Sequence, residues 1–378
     1  MTENMATSLA SGTDGITRNE RRVLGQLFRR KTMTQLALAE ALEITQQSAS
    51  RIVSTLCDSG SVQLAGSMAP GKRGYPSNGF TLVPNFAHSV GVSVMSDALS
   101  MVVLDFTGAL VAQRSERLAR LPINDVLDWT TTQLESICVG HGIVQVGLVG
   151  IGVAIAGSFI ETGGFNTPFE LDDWAGVDVA GVFSDRFKLP AYADNDGNAA
   201  AIAESILGVG KWASSFAYLY IAAGVGGGVV LNGELWRGRF GNAGEFAGGL
   251  PPNIYPFPNL ELLRQLVAAQ GVAVPTVDAL LHSFDPSWPA IDDWVARVRT
   301  SLSIIASNAS AILDLEAVVL GGRIPLSLAK RAIPEIEIYD QRRRAVPRPR
   351  ARIVPAEASG EVAAIGAAIL PLTAKLFL

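Results

Sequence analysis

The chain is poor in the residues that build metal sites and disulfide frameworks: its 378 residues include two cysteines, Cys57 and Cys138, and three histidines. The cysteines form no Cys-x-x-Cys pair. This excludes a disulfide-stapled scaffold and a cysteine-built zinc site, and points to a reducing, cytoplasmic setting. Long apolar runs are missing as well. The longest uncharged one, Phe216 to Leu231, is interrupted by glycines and falls short of the roughly 20 residues a membrane helix needs. It reads as a buried strand, a turn and a second strand, and no membrane partner is expected. Residues 1–15 lack the basic start and apolar stretch of a signal peptide and are expected to be a disordered tail. No simple short-period repeat is visible.

What is present is enough apolar material for large cores. With 48% hydrophobic residues the chain is expected to form two or three domains. Charge is unevenly spread. Residues 16–80 hold nine Lys or Arg against four acids, whereas the whole chain carries a formal charge of −5. A small basic module therefore precedes a large acidic body, as expected when one end meets a polyanion.

Within the basic module the apolar spacing is helical: Val23, Leu24, Leu27 and Phe28; then Leu36, Ala39 and Leu42; then Ala49, Ile52, Val53 and Leu56. Thr34 and Thr45 suit helix N-caps, and Gly60 suits the left-handed residue that closes the third helix. The short link Glu43-Ile44 fits a helix-turn-helix. The third helix then turns Gln46, Gln47, Ser48, Ser50 and Arg51 away from its apolar stripe. These side chains suit groove reading, since Gln pairs bidentately with adenine and Arg with guanine. Two strand-like stretches follow, Ser61 to Leu64 and Phe80 to Leu82, around a Gly/Pro-rich tip bearing Lys72 and Arg73. That is the pattern of a wing touching the DNA backbone or minor groove. The plain alternative is a three-helix interaction domain with solvated charges.

From about residue 87 strands alternate with helices, which predicts α/β layers. The stretch from Tyr192 to Glu245 has the order of pieces a sugar-phosphorylating site needs: Asp196 after a strand, a glycine turn at Gly224, Gly226, Gly227 and Gly228, then Glu245. A purely structural reading of the first piece is that Asn195-Asp196 caps the helix running through Ala199-Ala200-Ala201.

The winged helix ending in GKRGYPS, the pair VGVSVMSDALSMVVLDFTG, GVAIAGSF, ADNDGNAAAIAE, AAGVGGGVVLNGELWRG, GNAGE, VVLGGRI and the closing AAIGAAIL follow one another in a specific order. In that order the chain resembles the repressor branch of the ROK family (repressors, open reading frames and kinases), of the N-acetylglucosamine- and xylose-repressor type. The resemblance implies a winged helix-turn-helix at 16–84 followed by a two-lobed α/β body of the actin/hexokinase-like ATPase fold. Lobe 1 would span 85–198, completed by about 356–378, and lobe 2 would span 199–355. It also implies roles for particular residues. Asp196 matches the catalytic base, Asn195 and Glu245 match sugar-hydroxyl contacts, and Glu261 matches a further sugar-binding carboxylate.

Departures from the family pattern bear on function. The first-lobe phosphate turn is Ser93-Val94-Met95-Ser96-Asp97, without glycines, and Ala222-Ala223 stands where Gly-Thr is usual, so Gly224 to Gly228 form a degenerate phosphate turn. Gly248 replaces the zinc-ligating His, and the cysteine-rich loop after it is gone. No metal and no resident cofactor are expected. The expected function is a sugar-responsive transcriptional regulator, acting as a repressor of carbohydrate metabolism. It would bind double-stranded operator DNA and a sugar or sugar-phosphate effector as a homodimer or homotetramer. The alternative is a sugar kinase using ATP and magnesium with Asp196 as base. The arginines Arg342, Arg343, Arg344, Arg348, Arg350 and Arg352 read as a solvated or subunit-facing surface rather than a second nucleic-acid site.

Overall fold

The first helix, α1 (Arg18–Arg30), opens on a reciprocal cap: the Glu20 amide donates to Thr17 Oγ1 and the Thr17 amide donates to Glu20 Oε2. The structure is a computed structural model that describes residues 15–68, 77–118, 120–144, 147–161, 163–251, 253–339 and 349–378. The wing-tip residues Lys72 and Arg73, and Arg342, Arg343, Arg344 and Arg348, lie outside the described residues, as does the tail up to residue 14.

β1 (Met33–Thr34), α2 (Gln35–Leu42) and α3 (Gln46–Asp58) follow α1. Thr34 and Thr45 cap α2 and α3 as their spacing predicts, accepting from the amides of Ala37 and Ser48. Gly60 takes the positive φ of 75° that ends α3. A sheet of order β1-β3-β2, with β2 (Val62–Met68) and β3 (Ser77–Leu82), completes the winged helix. One expectation fails locally. Leu36 is 53% exposed and Leu38 is buried in its place, because α2 packs the Leu38–Ala39–Leu42 edge against its neighbours.

The body contains two five-stranded sheets with the same order. In lobe 1, β4 (His88–Val94), β5 (Ala98–Asp105), β6 (Leu110–Arg117), β7 (Leu148–Ile155) and β10 (Ala191–Asn195) run β10-β7-β4-β5-β6. A short two-stranded ribbon, β8 (Ser158–Phe159) with β9 (Phe165–Asn166), lies beside them. In lobe 2, β11 (Phe216–Ile221), β12 (Val225–Leu231), β13 (Glu234–Leu235), β14 (Ala317–Gly322) and β15 (Arg352–Pro355) run β13-β12-β11-β14-β15. Each sheet is an antiparallel meander extended by two parallel strands, so the body is one architectural unit used twice.

Helices reached through the parallel crossovers cover the outer faces: α4 (Ile123–His141) and α5 (Val179–Phe187) in lobe 1. In lobe 2 they are α7 (Leu260–Ala269), α8 (Val277–His282), α9 (Pro289–Leu313) and α10 (Leu326–Ala332). The strand period of two is plain in β11, whose Ala217, Leu219 and Ile221 enter this outer core while Phe216, Tyr218 and Tyr220 enter the inner one.

The inner layer consists of the two helices that follow the last strand of each sheet, α6 (Asp196–Leu207) and α11 (Val362–Lys375). Each crosses over: α6 leaves lobe 1 and packs on β12 and β11, whereas α11 leaves lobe 2 and packs on β7 and β4. They also pack on each other so closely that a Cβ at Gly366 would collide with the Ala199 carbonyl. Only glycine permits that approach.

The winged helix shares this inner core. Phe28 of α1 stacks on Phe377 at 4.5 Å, and Phe377 stacks on Phe106 at 5.4 Å. Such pairs add about 0.5–1.5 kcal/mol each beyond their burial. Arg21 Nη2 donates to the carbonyls of Thr373, Ala374 and Phe377, satisfying the free acceptors at the end of α11. Lys31 donates to the Thr107 carbonyl and Arg29 to the Gly233 carbonyl. Two of the five arginines of α1, with Lys31 at its C-cap, therefore fasten the domain to the body. The sequence-level view that the basic surplus belongs to a polyanion-facing surface is corrected for these three residues.

Candidate functional site: a two-lobed cleft behind a winged helix

Asp196 is the first residue of α6, directly after β10, and it is buried among side chains. One of its oxygens accepts from the Gly197 amide at 2.9 Å. Burial is the main cause that pushes its carboxyl up to about 7, and the charge of nearby Glu245 adds to the rise. Glu245 stands at the rim of the cleft, and partial desolvation raises its carboxyl as well. The structure thus brings together the two carboxylates read from the sequence, Asp196 from the end of lobe 1 and Glu245 from the loop after β13.

Asn195 lies beside them with its side chain engaged. Its Oδ1 accepts from the amides of Gly197 and Asn198, and its Nδ2 donates to the Gly157 carbonyl at 2.7 Å. It is therefore the N-cap of α6, the structural role weighed for this dipeptide. Asp194, one residue earlier, was missed by sequence reasoning. Its Oδ1 accepts from the Asn195 amide and from Asn198 Nδ2, and its Oδ2 accepts from Arg237 Nε at 3.0 Å and Nη2 at 2.6 Å. Arg237 belongs to the lobe 2 loop leading to Glu245, so this pair ties the two sides of the cleft together. The same loop makes a second tie: Asn242 accepts from the Phe159 amide and donates to the Phe159 carbonyl. An acidic residue two before Asp196, and an Arg in the loop before GNAGE, were the available signals.

Glu261 sits on α7, where Arg264 takes both its oxygens at 2.7 and 2.6 Å and Gln265 donates a third bond. The hydrogen bonds from Arg264 hold its carboxyl below the usual range. Its oxygens are thus engaged by side chains of its own helix.

The glycine turn divides in two. A Cβ at Gly224 or Gly226 would meet open space, whereas Gly227 and Gly228 are pressed against the first turn of α6 and the Gly244 loop. Their lack of a side chain lets α6, with Asp196 at its tip, lie directly on β12. Gly197 answers from the helix side, where a Cβ would fall 2.6 Å from the Gly227 amide.

The other half of the cleft lacks the glycine-lined turn and the hydroxyl expected of a phosphate site. Asp97, in the β4–β5 turn, places a carboxylate where a phosphate turn needs backbone donors, and it is paired with Arg323 beyond β14. The Ala222-Ala223 corner supplies no hydroxyl, and the Ala222 carbonyl is taken by the Leu260 amide. Among the described residues no three His, Cys, Asp or Glu side chains converge as a metal site, and no helix is long and apolar enough to cross a membrane.

In the winged helix, α3 turns Gln46, Gln47 and Arg51 to solvent, with Ser48 and Ser50 half-exposed beside them. Ser48 is partly committed, its hydroxyl accepting from Thr45 Oγ1 at 2.9 Å. Ser54 is also exposed and extends the Gln47–Ser50–Arg51 face by a turn, a residue that sequence reasoning left out.

The raised carboxyl of Asp196 has a measurable consequence. Between the ordinary carboxylate range and about 7 the folded protein holds a proton that the unfolded chain has lost. Stability from this group therefore falls as pH rises through that window and is lowest above it. Asp196→Asn is expected to stabilise the protein at pH 8 by up to a few kcal/mol, because each tenfold difference in proton affinity between folded and unfolded chain is worth about 1.4 kcal/mol. At pH 5, still above the value of the unfolded chain, the gain should be smaller, about 1–2 kcal/mol. Calorimetric unfolding at both values checks this. A difference independent of pH would mean that Asp196 is ionised throughout.

Residues 103–253 match the model of the ROK family, and residues 14–72 match that of the MarR family. The xylose repressor of Bacillus spizizenii is 24% identical over 232 residues, which are 60% of this chain and 59% of that repressor. An uncharacterised protein of Sinorhizobium fredii, y4fQ, is 26% identical over 329 residues, 84% of this chain and 81% of its own length. Among solved structures, a ROK family transcriptional regulator described as a homolog of the E. coli MLC protein shares the fold, with a TM-score of 0.68 at 19% identity. That superposition covers 94% of this chain and 95% of the other, so it takes in the winged helix as well as both lobes.

Proposed function

From the premise that this chain joins a MarR-type winged helix to a ROK-family domain, we propose that it is a sugar-responsive DNA-binding transcriptional repressor of carbohydrate metabolism. The observation that carries the reading is the shared inner core. The candidate effector site is the tip of α6, α6 packs on α11, and the end of α11 is gripped by Arg21 and Phe28 of the winged helix. A sugar whose hydroxyls donate to Asp196 and Glu245 would act on the same packed unit that positions α3. To shift DNA occupancy, the sugar must bind one arrangement of that unit better than the other.

Two copies would present two α3 helices to a pseudo-palindromic operator, with half-sites about one helical turn apart. The xylose repressor and the ROK regulator among the relatives support this class of function. The kinase reading rests on Asp196, and the missing phosphate-site features of the other half weigh against it. Sugar-dependent ADP release that disappears in Asp196→Asn would be its mark.

The test is fluorescence anisotropy of the full-length protein on DNA from upstream of its own gene, at two salt concentrations and with a panel of free and phosphorylated sugars. Specific binding with a steep salt dependence, altered by one sugar and not by its epimers, is the expected result. Equal affinity for this DNA, for tiled genomic fragments and for random DNA would overturn the reading.

A further inference from the structure

A chain of charged groups bridges the lobes at the β4–β5 turn, beginning and ending in lobe 1 and passing through two residues of lobe 2. Asp97 in the β4–β5 turn of lobe 1 accepts from Arg323 Nη1 at 2.5 Å through Oδ1, and from the Asp278 amide at 2.9 Å through Oδ2. Arg323 of lobe 2 reaches on with Nη2 to Asp278 Oδ1 at 3.1 Å. Arg117, at the end of β6 in lobe 1, closes on the other oxygen of Asp278 at 2.7 Å and touches His282 Nδ1 at 3.2 Å. The side chains of Asp97, Arg323 and Asp278 are only 15–17% exposed, so solvent screens these pairs less than ordinary surface pairs. Beside them Tyr220 of β11 donates its buried hydroxyl to Met95 Sδ at 3.7 Å, adding a neutral contact across the same seam.

We infer that Asp97, Arg323, Asp278 and Arg117 form an interlobe latch that takes the place of a nucleotide, holding the lobes together through charges built into the chain. In a two-lobed phosphotransfer cleft, nucleotide phosphates and their metal bridge donors on both lobes and so draw the lobes together. Here Asp97 brings the anion from one lobe and Arg323 brings the cation from the other. The bridge is permanent, and the Asp97 carboxylate repels any phosphate that would replace it. The inference goes beyond the proposed function and stands whether or not the chain binds DNA.

The test is hydrogen exchange, read by mass spectrometry on the full-length protein, for wild type, Asp97→Ala, Arg323→Ala and the double variant. Each single substitution is expected to speed exchange at least tenfold in the lobe it does not belong to: at residues 277–282 for Asp97→Ala, and at residues 95–98 for Arg323→Ala. The double variant should be no faster than the faster single, because one link is already broken. Protection in α4 and α9 serves as the control for global unfolding. If a single variant loses that protection, Asp97→Asn, which keeps the acceptor for the Asp278 amide, decides in its place and should still speed exchange at 277–282. Changes confined to the mutated lobe, or additive effects in the double variant, would overturn the latch. So would protection of the β11–β12 turn in wild type by magnesium and a non-hydrolysable ATP analogue.

Discussion

The variant carrying Gln47→Ala and Arg51→Ala is expected to lose discrimination between operator and random DNA while keeping its fold and its effector binding. Gln47 and Arg51 are one helical turn apart on the exposed face of α3, and the opposite face, Ala49, Ile52, Val53 and Leu56, supplies the core. Removing the two polar side chains therefore leaves packing intact. Each bidentate base contact is worth about 1–3 kcal/mol, so losing both lowers specific affinity by roughly two to four orders of magnitude. Non-specific, salt-dependent binding falls by much less, since it draws on phosphate contacts. The measurement is the ratio of operator to random-DNA affinity at fixed salt. A ratio unchanged from wild type would remove α3 from the role of reading helix. The substitutions belong in the full-length protein rather than in a truncation, because deleting the winged helix would uncover Phe377 and Phe106.

What was legible in the sequence was whatever depends on near neighbours. The caps Thr34 and Thr45, the left-handed Gly60 and the apolar stripes of α1 and α3 follow from spacings of a few residues, and the structure has them. Strand β6 went unread because Leu110–Arg117 is an edge strand whose Gln113, Arg114, Ser115 and Glu116 are polar like a loop, so the pattern lacks the alternation of a half-buried strand. Asp196 and Glu245 could be placed by motif. The latch could not, since Asp97 and Arg323 are 226 positions apart and the motifs that hold them say nothing of their pairing. The charge of α1 misled for a physical reason: Arg and Lys satisfy helix-end carbonyls as readily as they meet phosphates. Composition alone does not say which partner a given guanidinium finds, and Arg21 finds the end of α11.

Glu204→Leu is expected to be among the most destabilising single substitutions in the chain. In a helix otherwise rich in alanine, Glu204 is fully buried, and its carboxylate is the common acceptor for three backbone donors. Oε1 takes the amides of Val209 at 2.9 Å and Glu357 at 2.8 Å, and Oε2 takes that of Ala358 at 3.1 Å. The end of α6 is thereby joined to the segment that leads from β15 into α11. Leucine fills similar space but leaves three interior N–H groups without an acceptor, at about 1–3 kcal/mol each. Glu204→Gln keeps one acceptor oxygen and should fall between wild type and leucine. Urea unfolding of the three proteins orders them; equal midpoints for Leu and wild type would show that the segment at 357–358 finds other partners at no cost. The functional consequence follows from position. Asp196 and Glu204 stand near the two ends of the same helix, and the segment held by Glu204 feeds the helix that Arg21 grips. Loosening Glu204 should therefore weaken operator binding even under conditions where the lobes stay folded, and anisotropy at low temperature, well below the unfolding midpoint, reads that loss separately from stability.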